Sequence, residues 1–341
     1  MKKIITYVSV FFMIGTLITL SMLTYIDNFI YSLSNSSVIT AALPSSQNQV
    51  EIKPSTNVVV PDNAQNIQYS FDNKYYTYLL DNQIYINNIE DGKNVSKIKD
   101  SSTICYYKLL YDKNLIIYFT QDKTGTTSKL KLKTYEFSNE RTSEYNSFTI
   151  TNFSKIKDID FSPIINIIYI NVETKSGATA SDTLYRIDLF NSMSKLTSGI
   201  VAEKIVMLQH KDKLYYEDKK GNIYSSGSLL SIFKEKVDLI GIDLDDNIYF
   251  LSKNDKDVVY KVYNNKIVDK IELSDTDVVK TYSNNEAVYL IYPNYVINVS
   301  GEDPYKRLGR LSNYVKFDAI KDNMMYLRTS NNTMIKVELV K

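Results

Sequence analysis

The residue types that build common catalytic and metal sites are scarce in this chain. The sequence has no tryptophan, one cysteine and one histidine among 341 residues. A lone Cys105 excludes an internal disulfide, and the apolar run 103–110 around it favours a buried structural thiol. A lone His210 excludes a multi-histidine metal site, and its place before the turn 211–213 indicates a surface residue at a strand end.

Sequence motifs for phosphate binding, hydrolysis and metal binding are also missing. With only ten glycines, the chain holds neither a glycine-rich phosphate loop nor a Gly-x-Ser-x-Gly elbow. Residues 243–247 place oxygen ligands as a calcium loop does, but Ile248 and Asn254 stand where glycine and glutamate are needed, so a polar turn is favoured. We therefore predict no metal, no cofactor and no enzymatic activity.

The balance of charge argues against one class of partner. The chain has a net charge of +1, and the residues after position 56 carry equal numbers of basic and acidic side chains. A nucleic-acid binder normally concentrates positive charge, because neutralising phosphates supplies most of its affinity. We expect no nucleic acid among the partners.

The N-terminus has the pattern of a membrane anchor. Lys2 and Lys3 precede the stretch Ile4–Ile26, which has no charged side chain and is long enough as a helix to cross a bilayer. The lysines predict a cytoplasmic N-terminus and an exported body. A cleaved signal peptide is the alternative, with Ser32–Ser34 as a possible site, but the apolar stretch is long for one. We expect a single-pass anchor in a bacterial cell membrane over residues 1–27 and a flexible stalk over 28–56.

From residue 57 onward one unit recurs seven times: an apolar strand, a turn of Asp, Asn or Lys, and a strand ending in an apolar residue and tyrosine. The final tyrosines of these units are Tyr76, Tyr118, Tyr169, Tyr216, Tyr249, Tyr289 and Tyr326. Their mean spacing is about 42 residues, which fits four-stranded propeller blades of roughly 40–50 residues. Alternating apolar residues after each tyrosine predict a third strand, and a more polar fourth strand follows. Residues 57–341 are therefore predicted to form an all-β propeller of about seven blades.

The two ends of this region predict how the ring closes. The last repeat ends after a third strand over residues 333–339, and the β-branched run Val58–Val60 precedes the first repeat. An open ring would leave unpaired strand edges. We predict that Val58–Val60 pairs beside Met334–Val337 as the missing fourth strand; the alternative is that the run belongs to the stalk.

Part of the sequence resembles a known family. The run from Asp158 to Pro163, followed by Ile167–Asn171 and Thr183–Leu189, is similar to a blade of TolB-like propellers. Residues 184–187, 195–197 and 213–216 also resemble propeller repeats of clostridial surface proteins. The resemblance covers residues 158–224, and the turn Pro163–Asn166 departs from the Pro-Asp-Gly usual in TolB-like blades. What it implies is extracytoplasmic protein interaction.

Two segments predict where a partner binds. The connections between second and third strands are longest at Gln121–Ser128 and Glu173–Asp182, in neighbouring blades. Loops on a rigid scaffold often carry binding residues. The partner-binding residues predicted there are Thr124, Gly125, Thr126, Ser176 and Gly177; tolerated insertion is the alternative.

The function expected is a non-enzymatic interaction module for a protein or cell-envelope component. The alternative is a ligand sensor or carbohydrate-active enzyme that uses the central depression.

Overall fold

Seven small antiparallel sheets make up the described part of the chain, which is a seven-bladed, all-β propeller. The structure is a computed structural model, and it describes residues 58–339 apart from 189, 255–257, 276, 294, 311–314 and 323. Within these residues no helix has the length and apolarity needed to cross a bilayer. The predicted anchor (1–27) and stalk (28–56) lie outside the described residues.

Each blade is a meander whose first strand lies innermost. The first three blades are β1 (Gln65–Tyr69), β2 (Tyr75–Leu80), β3 (Gln83–Asn88) and β4 (Asn94–Lys99); β5 (Thr103–Leu109), β6 (Leu115–Thr124), β7 (Thr127–Glu136) and β8 (Arg141–Thr151); and β9 (Phe153–Ser162), β10 (Ile167–Ser176), β11 (Thr179–Ile187) and β12 (Met193–Ile200). The fourth and fifth are β13 (Ala202–Met207), β14 (Leu214–Asp218), β15 (Ile223–Ser225) and β16 (Ser228–Leu229); and β17 (Val237–Ile242), β18 (Ile248–Ser252), β19 (Val258–Tyr263) and β20 (Lys266–Glu272). The last two are β21 (Lys280–Ser283), β22 (Val288–Ile291), β23 (Tyr295–Asn298) and β24 (Arg307–Arg310); and β25 (Val315–Lys321), β26 (Met324–Thr329) and β27 (Met334–Glu338).

The seven repeat tyrosines explain why the pattern specifies blades. Every one lies in the second strand of its blade and is buried between neighbouring sheets. A buried tyrosine must satisfy its hydroxyl, and two of them do so on the next blade's first turn. Tyr169 donates to Asp212 at 2.7 Å, and Tyr326 donates to Asn73 at 2.9 Å. These tyrosines fill the cores between blades and also fix how adjacent blades meet.

The N-terminal run closes the ring, as the sequence predicts. Val59 bridges Thr333, the Met334 amide donates to the Val58 carbonyl at 2.8 Å, and the Val60 amide donates to the Asn332 carbonyl at 3.0 Å. The pairing thus lies at the start of β27, not along its whole length. Val58 and Val60 are buried between the seventh and first blades, whereas Val59 is 61% exposed.

The meander gives the propeller two unlike faces. We call the face with the turns between first and second strands and between third and fourth strands the lower face. The upper face carries the turns between second and third strands and the connections between blades. From Val60 to Val58 the closing run leads away from β1, which starts at the upper face, and Val58 contacts Gly92 in the turn between β3 and β4. Because the run is antiparallel to β27, it proceeds from the side of the lower face toward the upper face.

The two segments predicted to be long loops are strands instead. β6 and β7 pair up to Thr124 and Thr127, and β10 and β11 pair up to Ser176 and Thr179. These hairpins are longer than those of the other blades and project from the upper face. Their tips are two-residue turns that begin at Gly125 and Gly177, both with φ of 60°.

Candidate interaction surfaces

The central channel is lined by inner strands that are joined by polar side chains. Gln68, on β1, donates to the Tyr107 carbonyl and accepts from the Leu109 amide, both on β5. Comparable bonds join the other six pairs of neighbouring inner strands, made by Lys108, Asp160, Lys204, Ser283, Asn284 and the Tyr69–Asp318 pair. An inner strand has one edge without a sheet partner. Except in the Tyr69–Asp318 pair, these side chains therefore satisfy backbone groups that would otherwise be orphaned.

Asp160 is the group of this set that bonds to two blades other than its own. Its carboxylate accepts from the amides of Phe161 and Met207 and from the Asn285 side chain. Burial raises the pKa of Asp160, and the nearby Lys108 ammonium opposes that shift. Lys108 donates to the Ile159 carbonyl. Burial lowers the pKa of Lys108, but Asp158 and Tyr106 outweigh it and the pKa is raised. Both groups hold strands together and leave little freedom for proton transfer.

Among the described lysines, Lys204 is the one whose pKa is lowered. Its ammonium donates to the Ile240 carbonyl at 2.6 Å. Burial lowers its pKa to about 8, although Asp158 and Glu217 oppose the shift. The interaction with a neutral carbonyl does not replace the lost hydration of the ammonium.

Side chains reach over the channel at its lower mouth. Tyr111 of the second blade donates to Gln209 beside the fourth blade's first turn. Lys321 of the seventh blade donates to the Tyr111 carbonyl at 2.8 Å. Asn285 of the sixth blade donates to Asp160 of the third at 3.1 Å. The first turns of these blades are therefore linked to one another across the lower mouth of the channel.

The structure gives ordinary structural roles to His210, Asp243 and Cys105, which the sequence marks as candidates for chemistry. His210 follows β13 and is exposed, as predicted, with its Nδ1 atom 3.5 Å from the Asp246 carboxylate. The Asp243 carboxylate accepts from Asn247 and Tyr249, which is the arrangement of a polar turn. Cys105 is half-buried, and burial raises the pKa of its thiol to about 12, so the thiol stays protonated and unreactive at neutral pH.

The structure brings the five predicted partner-binding residues together on the upper face. Asn152 is the single residue between β8 and β9; its amide donates to the Thr126 carbonyl at 2.7 Å, and its carbonyl accepts from the Lys175 amide at 2.9 Å. The two projecting hairpins are thus joined into one ridge. Thr124, Gly125, Thr126, Ser176 and Gly177 are all exposed on its crest.

The lower face carries the exposed apolar side chains that the sequence reading missed. They lie in or beside the turns of the first, third, fifth and sixth blades: Phe71, Ile164, Phe190, Leu244, Tyr263 and Tyr305. They are half of the exposed large apolar side chains of the described residues. On the upper side, Leu229 and Val279 lie beside connections between blades, and Val59 lies beside the turn between β26 and β27. Phe190 is 86% exposed. Exposed apolar side chains gathered on one face are typical of an interaction surface.

The charge of the lower face is uneven as well. Around the lower mouth, the first turns carry eight acidic residues against four basic ones. These are Asp72, Asp112, Asp212, Asp243, Asp245, Asp246, Glu286 and Asp322 against Lys74, Lys113, Lys211 and Lys213. The surface therefore complements apolar and basic side chains better than an acidic polymer.

One signal in the sequence could have indicated the lower face. Turn positions of a soluble propeller are usually polar, yet Ile164 stands in the turn of Pro163–Asn166, and Leu244 stands between aspartates. Apolar residues within otherwise polar turns have no core to enter, so they face solvent or a partner.

The fold and these surfaces define a class. It is a seven-bladed propeller whose inner strands are joined by polar side chains, whose first turns are linked across the lower mouth of the channel, and which has two distinct outer faces. The sequence matches no protein-family model and no curated protein.

Proposed function

We propose that this chain is a membrane-anchored, extracytoplasmic interaction module that docks a partner protein on its lower face. The observation that carries the proposal is the gathering of exposed aromatic and aliphatic side chains in the turns of that face, with Phe190 the most exposed. Aromatic side chains of this kind supply much of the binding energy of protein interfaces.

A binding role is favoured over catalysis by the state of the channel. Lys108 and Asp160, its central charged groups, are engaged with the backbones of neighbouring blades. A catalytic acid or base must be free to exchange a proton with substrate. A partner that presents apolar and basic side chains fits the acidic, apolar lower face.

The path of the chain supports an orientation for this module. Because the closing run proceeds toward the upper face, an anchor over residues 1–27 and a stalk over 28–56 that precede it in the same direction would turn the lower face toward the membrane. The docked partner is then a protein at or near the membrane surface, and the ridge on the upper face points away from it.

Site-specific photo-crosslinking tests which face docks the partner. A photoreactive phenylalanine analogue replaces Phe190 or Leu244 on the lower face, and Thr126 or Ser176 on the ridge crest, in the full chain in its native membrane. We expect one discrete adduct of the same mass from both lower-face positions. Adducts from the crest alone would overturn the lower-face assignment and support the ridge; their absence from all four positions would contradict the interaction function.

Membrane fractionation tests the anchor separately. The full chain should stay in the membrane pellet after alkaline carbonate extraction, and a chain lacking residues 1–27 should be released. External protease should degrade the propeller in intact cells from which the outer layers have been removed. Release of the full chain by carbonate, or protection from protease, would refute anchoring or orientation without bearing on the docking face.

A further inference from the structure

A cavity opens on the upper face beside the ridge, between the first and second blades. Its volume is about 310 Å³, and it is open to solvent on one side. The turn between β2 and β3 forms one wall, and the start of β5, at Thr103 and Ile104, forms the other. This space is enough for one long side chain but not for a folded element.

The lining of the cavity has an apolar part and a charged rim. Leu79, Leu80 and Ile104 supply the apolar surface. Asp81 lies exposed at the rim, and within the described residues its carboxylate has neither an ion-pair partner nor a hydrogen-bond donor. Asn82, its neighbour, is fully used: it donates to the Ser102 carbonyl and accepts from the Ile104 amide. A side chain with an apolar stem and a cationic head matches this lining.

A strand edge lies next to the cavity. β5 begins at Thr103, opposite Gln121, whereas β6 continues to Thr124. On the inner side, residues 122–124 therefore extend beyond β5, and no described strand pairs with that edge. Strand edges of this kind accept an extended segment by backbone hydrogen bonding, with alternate side chains entering neighbouring pockets.

We propose that the upper face binds an extended segment of a protein through this edge and cavity. The segment runs along residues 122–124 of β6, and a lysine or arginine side chain enters the cavity. Its methylene stem packs on Leu79, Leu80 and Ile104, and its cationic head pairs with Asp81. This site is separate from the docking surface of the lower face and does not depend on it.

The test measures binding of defined peptides to the full chain by fluorescence anisotropy. The probe is a labelled, acetylated heptapeptide of sequence STVRVTS, and two matched peptides carry glutamate or leucine in place of arginine. We expect the arginine peptide to bind at least tenfold more tightly than the glutamate peptide. Asp81→Asn should weaken arginine-peptide binding about fivefold. Asp81 has a φ of 49°, a conformation that asparagine accepts readily, so this variant should fold.

Asp277→Asn is the matched control, because it removes an exposed carboxylate from the connection between the fifth and sixth blades, which lines neither the cavity nor the lower face; it should leave peptide binding unchanged. Equal binding of all three peptides, or equal weakening by both variants, would overturn the cationic-head assignment. If no peptide binds while lower-face photo-crosslinking gives its adduct, the cavity proposal fails and the proposed function stands.

Discussion

Asn285, in the first turn of the sixth blade, donates a hydrogen bond of 3.1 Å across the channel to the carboxylate of Asp160 on the third blade. The two residues are 125 positions apart in the chain and belong to blades that do not adjoin. The bond therefore ties opposite sides of the ring together and makes the channel part of the structural core.

Placing a second carboxylate at this contact should destabilise the fold in a pH-dependent way. In Asn285→Asp, two acidic side chains share one site, and one of them is held protonated, with a raised pKa. The native state then binds more protons than the unfolded state as pH rises above about 4, so stability falls with pH. We expect a loss of about 2 kcal/mol at pH 7 and recovery near pH 4, measured by denaturant unfolding. Asn166→Asp, at an exposed turn with the same positive φ, should show neither effect.

The closing run offers a matched pair of adjacent valines. Val60 is fully buried against the first and seventh blades, whereas Val59 points to solvent. Val60→Asp places an unpaired charge in that core and should cost about 3 kcal/mol or more. Val59→Asp should change stability by about 0.5 kcal/mol or less. Thermal unfolding and limited proteolysis would measure both variants. Equal effects of the two would contradict the closure as described.

The fifth and sixth blades approach each other closely at Gly241. A Cβ atom there would lie 2.4 Å from the Ser283 Cβ, so an alanine must push the two inner strands apart. Gly241→Ala should cost about 1–3 kcal/mol in chemical unfolding. The control is Gly301→Ala, where the nearest contact is the Asn298 side chain at 3.2 Å. If Gly241→Ala left the free energy of unfolding unchanged, the inner strands would not be held at this spacing.

Lys204 should make stability rise with pH in the alkaline range. Its pKa falls from 10.5 in the unfolded chain to about 8 in the folded one, because burial disfavours the ammonium. Between these values the unfolded state binds more protons, so stability increases with pH. Below about pH 8 the cost of the buried charge is present in full. Compared with the parent chain, Lys204→Met should lose this rise between pH 8 and 10.5. The exposed Lys266→Met variant should retain it.

The architecture could be predicted from the sequence because the tyrosine repeat is a local pattern. Each copy marks a buried position in the second strand of a blade. Each of the seven tyrosines stands two to four residues after the last polar residue of a turn, at a buried position of the second strand. Closure could be predicted as well, because unpaired edges are costly and only Val58–Val60 remained to fill the last blade. Its shifted pairing could not, because a run of three valines fits several registers along β27 equally well.

The projecting hairpins were misjudged for a physical reason. Asp122, Lys123 and Thr124 are all exposed, because β6 there extends past the other blades and both of its faces meet solvent. Without a buried side, a strand shows no alternation of apolar and polar residues, so its sequence is typical of a loop. The roles of Gln68 and Lys204 in the channel were equally hidden, since their partners are backbone groups of other blades.

The bridge between Val59 and Thr333 also constrains the order of events during synthesis. One half of the seal emerges from the ribosome among the first residues of the propeller, and the other half among its last. Until translation has nearly finished, the six earlier blades therefore stack without closure. The blade surfaces at the two ends of the incomplete ring stay exposed to solvent. Molecular chaperones that bind nascent chains would therefore be expected to bind the apolar surface between the first and seventh blades.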